Sequence, residues 1–294
     1  MVESFDLAEL ELRLRQHVAA LAAVPRPPGS DAHRQAQGYI REHLTRGGFT
    51  AEADAYRAGS AVPGLNLLTV PEPNRPELPL VIVGAHYDSL PQTPGADDNA
   101  SAVAALLELA RWLRPHLAGD QRWCARLQLA AYDQEEDGLL GSQHHSGAVK
   151  GPVKAMISLE MLGYTDRRPG GQRLPPQLAG LYPDVGDFIG VIANQGSRAL
   201  VEPVARALRQ VEGLPVQELV VPGDGSMLPD SRRSDHASFW DRGLPALMLT
   251  DTSFLRNPHY HRATDTPDTL DYPFLAQVTA GICLAVEQLL WAGA

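Results

Sequence analysis

Short apolar runs alternate with amphipathic stretches along most of the chain. Five runs rich in apolar and β-branched residues predict strands, at residues 78–85, 126–132, 155–162, 188–193 and 244–250. Between them, apolar positions recur at helical spacing, as in the stripes that begin at Val103 and Leu200. Strands that alternate with helices predict an α/β fold, in which a mostly parallel sheet is covered by helices on both faces.

Both ends of the chain have helical patterns. Apolar residues recur at helical spacing over residues 7–21, and residues 273–291 form a long apolar stretch typical of a closing helix. The loops rich in Pro and Gly are too short for domain linkers and lie at residues 25–30, 71–79 and 169–176. We therefore expect one domain over residues 1–294, with a helical segment, residues 1–50, packed on it.

Composition narrows the class of protein. The chain has 294 residues, of which 44% are apolar, and its formal net charge is −10. This length can bury a full core, and the acidic balance argues against a protein that binds nucleic acid or anionic membranes. Two cysteines, Cys124 and Cys283, are too few for a disulfide framework. The acidic start lacks the regions of a signal peptide and no stretch approaches a membrane span, so we expect a cytoplasmic protein without membrane association.

Acidic residues and histidines lie where the predicted strands end. His86 and Asp88 follow the first strand, Glu135 and Glu136 follow the second, and Glu160 lies within the third. Because ligands of open α/β sheets bind beyond the carboxyl ends of the strands, we expect these side chains to share one crevice. The same residue types recur in three further segments, with Asp97 and Asp98, Asp235 and His236, and His259 and His261.

This convergence of acids raises an electrostatic problem. Carboxylates that share a crevice repel one another and have raised pKa values unless a cation is present, and a mixture of His and carboxylate suits Zn²⁺. Two histidines and three carboxylates, one of them bridging, would fit two metals about 3.5–4 Å apart. Taken singly, Asp97 and Asp98 could cap the following helix, and Glu135 and Glu136 could lie on a solvated surface. Glu160 is harder to explain without a partner because its neighbours are apolar.

Six segments carry a pattern of residues in a fixed order along the chain: HYDS at 86–89, PGADDNASA at 94–102, EEDGLLGS at 135–142, SLEMLGY at 158–164, SDHASFW at 234–240 and HYHRATDTPDTLDY at 259–272. As a set they resemble the M28 family of zinc aminopeptidases. The resemblance implies a three-layer α/β/α sandwich with a mixed, mostly parallel central sheet and two zinc ions per chain. It also implies hydrolysis of the N-terminal bond of a peptide substrate whose N-terminus is free.

The resemblance further implies a role for each matching position. His86 resembles a ligand of one zinc, and Asp88 resembles the acid that orients it. Asp98 resembles the ligand that bridges both zinc ions, and the peptide bond that follows this residue is cis in family members. Glu135 matches the general base of the reaction.

The remaining ligands lie further along the chain. Glu136 matches a ligand of the other zinc, Glu160 occupies the position of the remaining ligand, and His261 is similar to the last one. Many family members have Asp where Glu160 stands, and Ala102 replaces the usual Gly, but neither change removes a ligand. Two further residues resemble side chains that line the site just outside the ligands, Asp235 and His236.

Other functions stay open. A glutaminyl cyclase shares the fold but works with one zinc; it is disfavoured because no insertion follows Glu136 and because Tyr260 stands where cyclases tend to have Trp. An M28 carboxypeptidase would need a cationic pocket, for which the nearest candidates in sequence are Arg232, Arg233 and Arg256. A binding protein on this fold is disfavoured because all candidate ligands and the base are present. A serine hydrolase is disfavoured because there is no GxSxG elbow.

Overall fold

The computed structural model describes residues 5–59, 62–117 and 123–291, and within them lies an eight-stranded sheet. The strands are β1 Ala51–Tyr56, β2 Gly64–Thr69, β3 Leu80–His86, β4 Arg126–Tyr132, β5 Val153–Glu160, β6 Ile189–Asn194, β7 Val216–Val221 and β8 Ala246–Thr250. Their order across the sheet is β1-β2-β4-β3-β5-β8-β6-β7. Neighbouring strands from β4 through β3 and β5 to β8 are parallel, as are β6 and β7, whereas the other three pairs are antiparallel. The predicted mixed, mostly parallel sheet is confirmed.

Helices lie on both faces of this sheet. They are α1 Leu7–Leu21, α2 Asp31–Arg46, α3 Ala102–Leu117, α4 Leu140–Ala148, α5 Val201–Leu208, α6 His236–Trp240 and α7 Tyr272–Leu290. α7 contacts α1, α3 and α5, and α2 contacts α3 as well as β1 and β2. On the opposite face α4 and α6 pack against each other. The assignment of the whole chain to one domain stays a prediction.

The alternation of side chains in β3 shows how the two layers are separated. Successive side chains of a strand point to opposite faces of the sheet. Val81 and Val83 belong to a core shared with α1, α3 and α7, whereas Leu80 and Ile82 belong to a smaller core with Phe239 of α6. All residues of β3 are buried, which explains its unbroken apolar run. The predicted three-layer α/β/α sandwich is confirmed.

The five predicted strands correspond to β3, β4, β5, β6 and β8, whereas no apolar run predicts β1, β2 or β7. β1 and β7 are the two edges of the sheet, and most of their residues are exposed or only partly buried. Edge strands tolerate charged residues, so they lack the apolar runs by which buried strands are recognised. Apolar runs therefore predict the central strands of the sheet but not its edge strands.

α7 differs from what its sequence was expected to allow. By length and composition this 19-residue helix could cross a membrane, contrary to the expectation that no stretch approaches a span. In the structure, however, 78% of its most apolar 18-residue window is buried, and it packs against three other helices. A core helix of a folded protein has the same composition, and we interpret α7 as one. The cytoplasmic location stays a prediction.

Candidate metal centre

The acidic crevice lies at the carboxyl ends of three adjacent parallel strands. His86 ends β3, Glu160 ends β5, and Glu135 and Glu136 follow the end of β4. The carboxyl ends of parallel neighbours meet at one edge of the sheet, as expected for an open α/β fold. The structure brings six predicted side chains into two groups whose ligand atoms lie within 4.8 Å of one another, namely His86, Glu135 and Glu160, and Asp98, Glu136 and His261.

Asp98 joins the two groups. Its Oδ1 lies 3.3 Å from Nε2 of His86, and its Oδ2 lies 3.2 Å from Nε2 of His261. Oε2 of Glu136 lies 3.2 Å from the same nitrogen of His261. One carboxylate oxygen therefore faces each histidine, which is the arrangement that a bridging ligand requires.

The chemistry of the donor set fits a pair of zinc ions. Tetrahedral zinc with bonds of about 2.0–2.2 Å separates its ligand atoms by about 3.3–3.6 Å. Nε2 of His86 lies 3.3 Å from Asp98 and 3.7 Å from Glu160. This nitrogen and Oε1 of Glu136 are buried but make no hydrogen bond of good geometry. Buried polar atoms are rarely left in this state, and a metal would satisfy both.

The electrostatics of the crevice also favour a cation. Burial raises the pKa of Glu135 well above its usual value, and burial together with repulsion by Asp98 raises the pKa of Glu136 to about 7. Asp98 differs, because contact with His261 and His86 outweighs the effect of burial and lowers its pKa. The acids in turn raise the pKa of His261 to about 9, against the effect of burial. Divalent cations would offset this excess of negative charge.

Asp88 holds the loop that follows β4. Its Oδ1 accepts a hydrogen bond from the backbone N–H of Glu135, and its Oδ2 accepts one from that of Glu136, each at 3.2 Å. Oδ1 also lies 3.4 Å from Nδ1 of His86. Asp88 is fully buried, so its two backbone contacts are shielded from water. This geometry fits the orienting role predicted for it.

Asp265 holds the segment that contains Asp98 in the way that Asp88 holds the loop after β4. No role was predicted for it from the sequence. Its Oδ1 accepts from the backbone N–H of Asp97 at 2.9 Å, and its Oδ2 accepts from that of Asp98 at 3.1 Å. Burial raises the pKa of Asp265 to about 7. Its position was the available signal. Asp265 lies four residues after the candidate ligand His261, and Asp88 lies two residues after the candidate ligand His86, so each acid closely follows a histidine.

The segment around Asp98 agrees with the family pattern in its backbone. The Asp98–Asn99 peptide bond is cis, as expected. The side chain of Asn99 donates to the carbonyl oxygen of Leu159 and accepts from the N–H of Met161, which ties this segment to the end of β5. The carboxylate of Asp97 instead accepts from Asn257 and from the backbone of Gly163, so it lies outside both donor groups.

Asp235 and His236 also lie outside the two donor groups. Both carboxylate oxygens of Asp235 are buried without a hydrogen bond of good geometry. Burial raises its pKa to about 7, although the nearby His86 opposes this shift. His236 is held elsewhere, since its Nε2 lies 2.8 Å from the carbonyl oxygen of Ser231 and its ring packs edge-on against Trp240. Of the two residues, only Asp235 has an electrostatic contact with a candidate ligand.

Two contacts of the candidate ligands were not predicted from the sequence. Oγ of Ser234 donates to Oε2 of Glu160 at 2.8 Å, and Ser158 lies 2.8 Å from the same hydroxyl. The ring of Tyr260 stacks on His261 with centroids 3.7 Å apart. Both residues lie within the family segments, so their positions were visible but their partners were not.

Two pockets are lined by donor residues or by their neighbours in sequence. The apolar pocket, about 850 Å³ with its open mouth, includes Glu160 in its lining, together with side chains such as Phe188, Ile192, Leu219, Leu228 and Met248. The arginine pocket, about 990 Å³ with its mouth, is lined by residues 166–173 and 254–262 in part. Tyr260 and Phe254 line both pockets, which therefore adjoin at these two residues. Three arginines were candidates for the cationic pocket that a carboxypeptidase needs. Arg256 lines the arginine pocket and Arg233 lines the apolar pocket, whereas Arg232 forms an ion pair with Asp241.

Residues 66–286 match the sequence model of a known family described as "Peptidase family M28". The chain therefore belongs to peptidase family M28. It is 44% identical over 218 residues to "Uncharacterized protein YfbL" of Escherichia coli K12, a match that covers 69% of this chain and 65% of that protein. It is 30% identical over 213 residues to a "Probable leucine aminopeptidase" of Arthroderma benhamiae, covering 67% of this chain and 50% of that protein. The chain thus spans between half and about two thirds of these curated relatives.

Solved structures agree on the fold. The zinc aminopeptidase BSAP of Bacillus subtilis superposes with a TM-score of 0.75 at 15% identity, covering 96% of this chain and 95% of that one. The glutaminyl cyclase of Porphyromonas gingivalis superposes with a TM-score of 0.71 at 18% identity, covering 97% of this chain and 98% of that one. Both types of enzyme thus share this architecture, so the fold alone does not separate an aminopeptidase from a cyclase.

Proposed function

We propose that the chain is a metal-dependent aminopeptidase with two zinc ions, which removes the first residue of a peptide. The observation that carries the proposal is Asp98, whose two oxygens lie 3.3 Å and 3.2 Å from His86 and His261. A second support is membership of a family whose relatives include proteins named as leucine aminopeptidases.

The family resemblance supports separate roles for two adjacent glutamates. Oε2 of Glu135 lies 3.8 Å from Nε2 of His86, almost as close as Oε2 of Glu160 at 3.7 Å, so these two distances do not decide which of them binds the metal. Because Glu135 matches the general base of the family, we assign His86, Asp98 and Glu160 to one zinc and leave Glu135 free of the metal. The second zinc would be held by Asp98, Glu136 and His261.

When bound, the zinc pair would lower the pKa of a water molecule and polarise the scissile carbonyl. Glu135 would take the proton of the attacking water and pass it to the leaving amine. Asp88 would keep this carboxylate in place through the backbone N–H groups of Glu135 and Glu136.

The substrate would be a peptide with a free N-terminus and an apolar first residue. Its α-amine would bind among the carboxylates of the crevice, since an ammonium group offsets their charge. Its first side chain would enter the apolar pocket, which begins at Glu160 and is lined by Phe188, Ile192 and Met248. Burial of an apolar side chain there would favour leucine-like residues over charged ones.

Metal content measured beside activity tests this proposal. We expect two zinc ions per chain and chelator-sensitive hydrolysis of leucine p-nitroanilide, with no hydrolysis of N-acetyl-leucine p-nitroanilide. Hydrolysis of N-acetyl-Leu-Ala would instead indicate a carboxypeptidase. One zinc per chain with cyclisation of glutamine β-naphthylamide would indicate a glutaminyl cyclase. Absence of both metal and turnover would overturn the enzymatic assignment.

A further inference from the structure

The arginine pocket is positively charged within an acidic protein. The residues with formal charge that line it are Arg168, Arg173, Arg256, Arg262 and a single carboxylate, Asp166. The chain as a whole has a net charge of −10, so this concentration of arginine is opposite in sign to the rest of the molecule. A pocket with these walls attracts an anion.

Arg256 is the buried and fixed part of this pocket. It is 3% exposed, its Nε donates to Gln172 at 2.9 Å, and its Nη1 donates to the carbonyl oxygen of Tyr164 at 3.2 Å. The guanidinium lies 4.6 Å from the ring centroid of Phe188. Carboxylates within electrostatic reach of it include Asp251, Asp97, Asp187 and Asp166. None of these accepts a hydrogen bond from Nη2, which is buried without a partner, a state that is rare for a buried donor.

The other arginines differ in their availability. Arg168 is paired with Asp166 at 2.6 Å, and Arg173 donates to the carbonyl oxygens of Phe254 and Leu255. Arg262 is exposed, and among the described residues its side chain makes neither a hydrogen bond nor an ion pair. Arg262 is therefore the exposed donor that an anion would meet first, and Nη2 of Arg256 is a buried donor of the same pocket that lacks a partner.

The position of the arginine pocket relates it to the substrate. Tyr260, which lines both pockets, stacks on the candidate ligand His261, and Arg262 follows directly in the chain. If the first side chain of a peptide occupies the apolar pocket, the residues after the scissile bond must leave in another direction. The arginine pocket adjoins the apolar pocket at Phe254 and Tyr260, which line both. Because a peptide gains at most about 3.6 Å per residue, the part of the substrate that would reach the arginine pocket is the part close to the scissile bond.

We propose that the arginine pocket binds a carboxylate in the leaving part of the peptide. This inference rests on the proposed aminopeptidase function and adds a preference for short or acidic substrates. The carboxylate belongs either to the C-terminus of a di- or tripeptide or to an acidic side chain that follows the scissile bond. Arginine suits this task because its planar guanidinium donates two parallel hydrogen bonds to a carboxylate.

Pairs of substrates that differ only in a carboxylate test the proposal. Leu-Ala against Leu-Ala-amide reports on the terminal carboxylate, and Leu-Asp-Ala-amide against Leu-Asn-Ala-amide reports on an acidic side chain. We expect kcat/KM to be about tenfold higher for the acid in at least one pair, because charged hydrogen bonds to arginine discriminate strongly. The pair that shows the preference identifies the source of the carboxylate. Equal values within both pairs would overturn the proposal.

Substitution of Arg262 tests whether the preference for a carboxylate depends on the arginine pocket. Arg262→Gln should lower the acid-to-amide ratio about fivefold, and Arg262→Lys should restore part of it, since Lys keeps the charge without the planar geometry. The matched control is Arg206→Gln, an exposed arginine of α5 that pairs with Glu202 and should leave the ratio unchanged. A ratio that is the same in Arg262→Gln and the wild-type protein would contradict the proposal. Hydrolysis of leucine p-nitroanilide, which has no carboxylate, tests the aminopeptidase function separately.

Discussion

Two regions of the molecule bury titratable groups in opposite ways. In the acidic crevice, several carboxylates face one another, and mutual repulsion adds to burial in raising the pKa of Glu135 and Glu136. In the layer of α4 and α6, His145 and His236 are each buried beside one neutral partner, the hydroxyl of Tyr132 and the carbonyl of Ser231. Burial lowers the pKa of each of these histidines to about 4, so both stay neutral.

The difference separates a structural residue from a functional one. A buried group that stays neutral needs no counter-charge, whereas converging like charges require a cation. The resemblance predicts a place for His236 just outside the ligands, and this stays a prediction; the contacts that its ring makes are with Ser231 and Trp240. Asp235, its neighbour in sequence, belongs electrostatically to the crevice. Adjacent residues can therefore serve different regions.

The strongest test of the comparison is Glu135→Gln. The amide has nearly the same shape but cannot take a proton from water, so we expect kcat for leucine p-nitroanilide to fall by about 10³-fold. Zinc content should stay unchanged, because Glu135 is not assigned as a ligand. Kinetics and metal analysis of the same preparation measure both effects.

The contrasting variant is Asp98→Asn, which replaces the proposed bridging ligand. It should lower zinc content as well as activity, because an amide offers one neutral acceptor where the carboxylate offers two charged ones. Full activity of Glu135→Gln would show that the assigned base is wrong. Loss of zinc in Glu135→Gln would place this residue among the ligands and not beside them.

A smaller effect is expected from the acids that hold the crevice in shape. In Asp88→Asn and Asp265→Asn, one acceptor oxygen becomes an NH₂ group, so one of the two backbone hydrogen bonds is lost. Residues that position ligands typically contribute 10–100-fold to metal affinity or activity, and we expect losses of about that size. Asp265→Asn should act mainly on zinc affinity, measured by competition with a chelator. Asp88→Asn should act mainly on kcat, because Asp88 also holds the loop of the base.

The matched control is Asp271→Asn. Asp271 also accepts a backbone hydrogen bond, from Phe274 at the start of α7, but it belongs to neither donor group. This variant should lower thermal stability while zinc affinity and kcat are retained. Equal effects of all three variants on zinc affinity would mean that Asp88 and Asp265 act on the fold as a whole.

The sequence was informative wherever a role depends on local pattern. The unbroken apolar run of β3 and the order of the family segments pointed to the sheet and to donors such as His86 and His261. Residues whose role depends on a distant partner gave no such signal. Arg26 appears only as part of a Pro-rich loop, yet it is fully buried and its guanidinium donates to four backbone carbonyl oxygens, those of Leu21, Tyr87, Pro94 and Gly95.

The same limit applies to the arginine pocket. Its arginines come from two segments about 90 residues apart, and neither segment is basic enough to suggest an anion site alone. β1 and β7 were missed for a related reason, since the margins of a sheet are defined by the neighbour they pair with. Apolar runs and family motifs thus predict the centre of the molecule, whereas contacts across the fold determine its margins and pockets.

Burial of His145 in the layer of α4 and α6 makes the free energy of unfolding depend on pH. The usual pKa of histidine is about 6.5, and burial lowers that of His145 to about 4. Between these values the unfolded chain binds a proton that the folded chain does not. The stability contributed by neutral His145 is therefore complete above pH 6.5, and it is lost as the pH falls toward 4.

Replacing His145 by Gln removes this titration. At pH 7 the variant should be less stable than the wild-type protein, because Gln does not reproduce the contact with Tyr132. At pH 5 the difference in the free energy of unfolding should shrink by about 2 kcal/mol, the value of about 1.5 pKa units. Urea unfolding of the metal-free proteins at the two pH values measures it. A difference that stays constant with pH would show that His145 is not held neutral, and the contrast between the two regions would then fail.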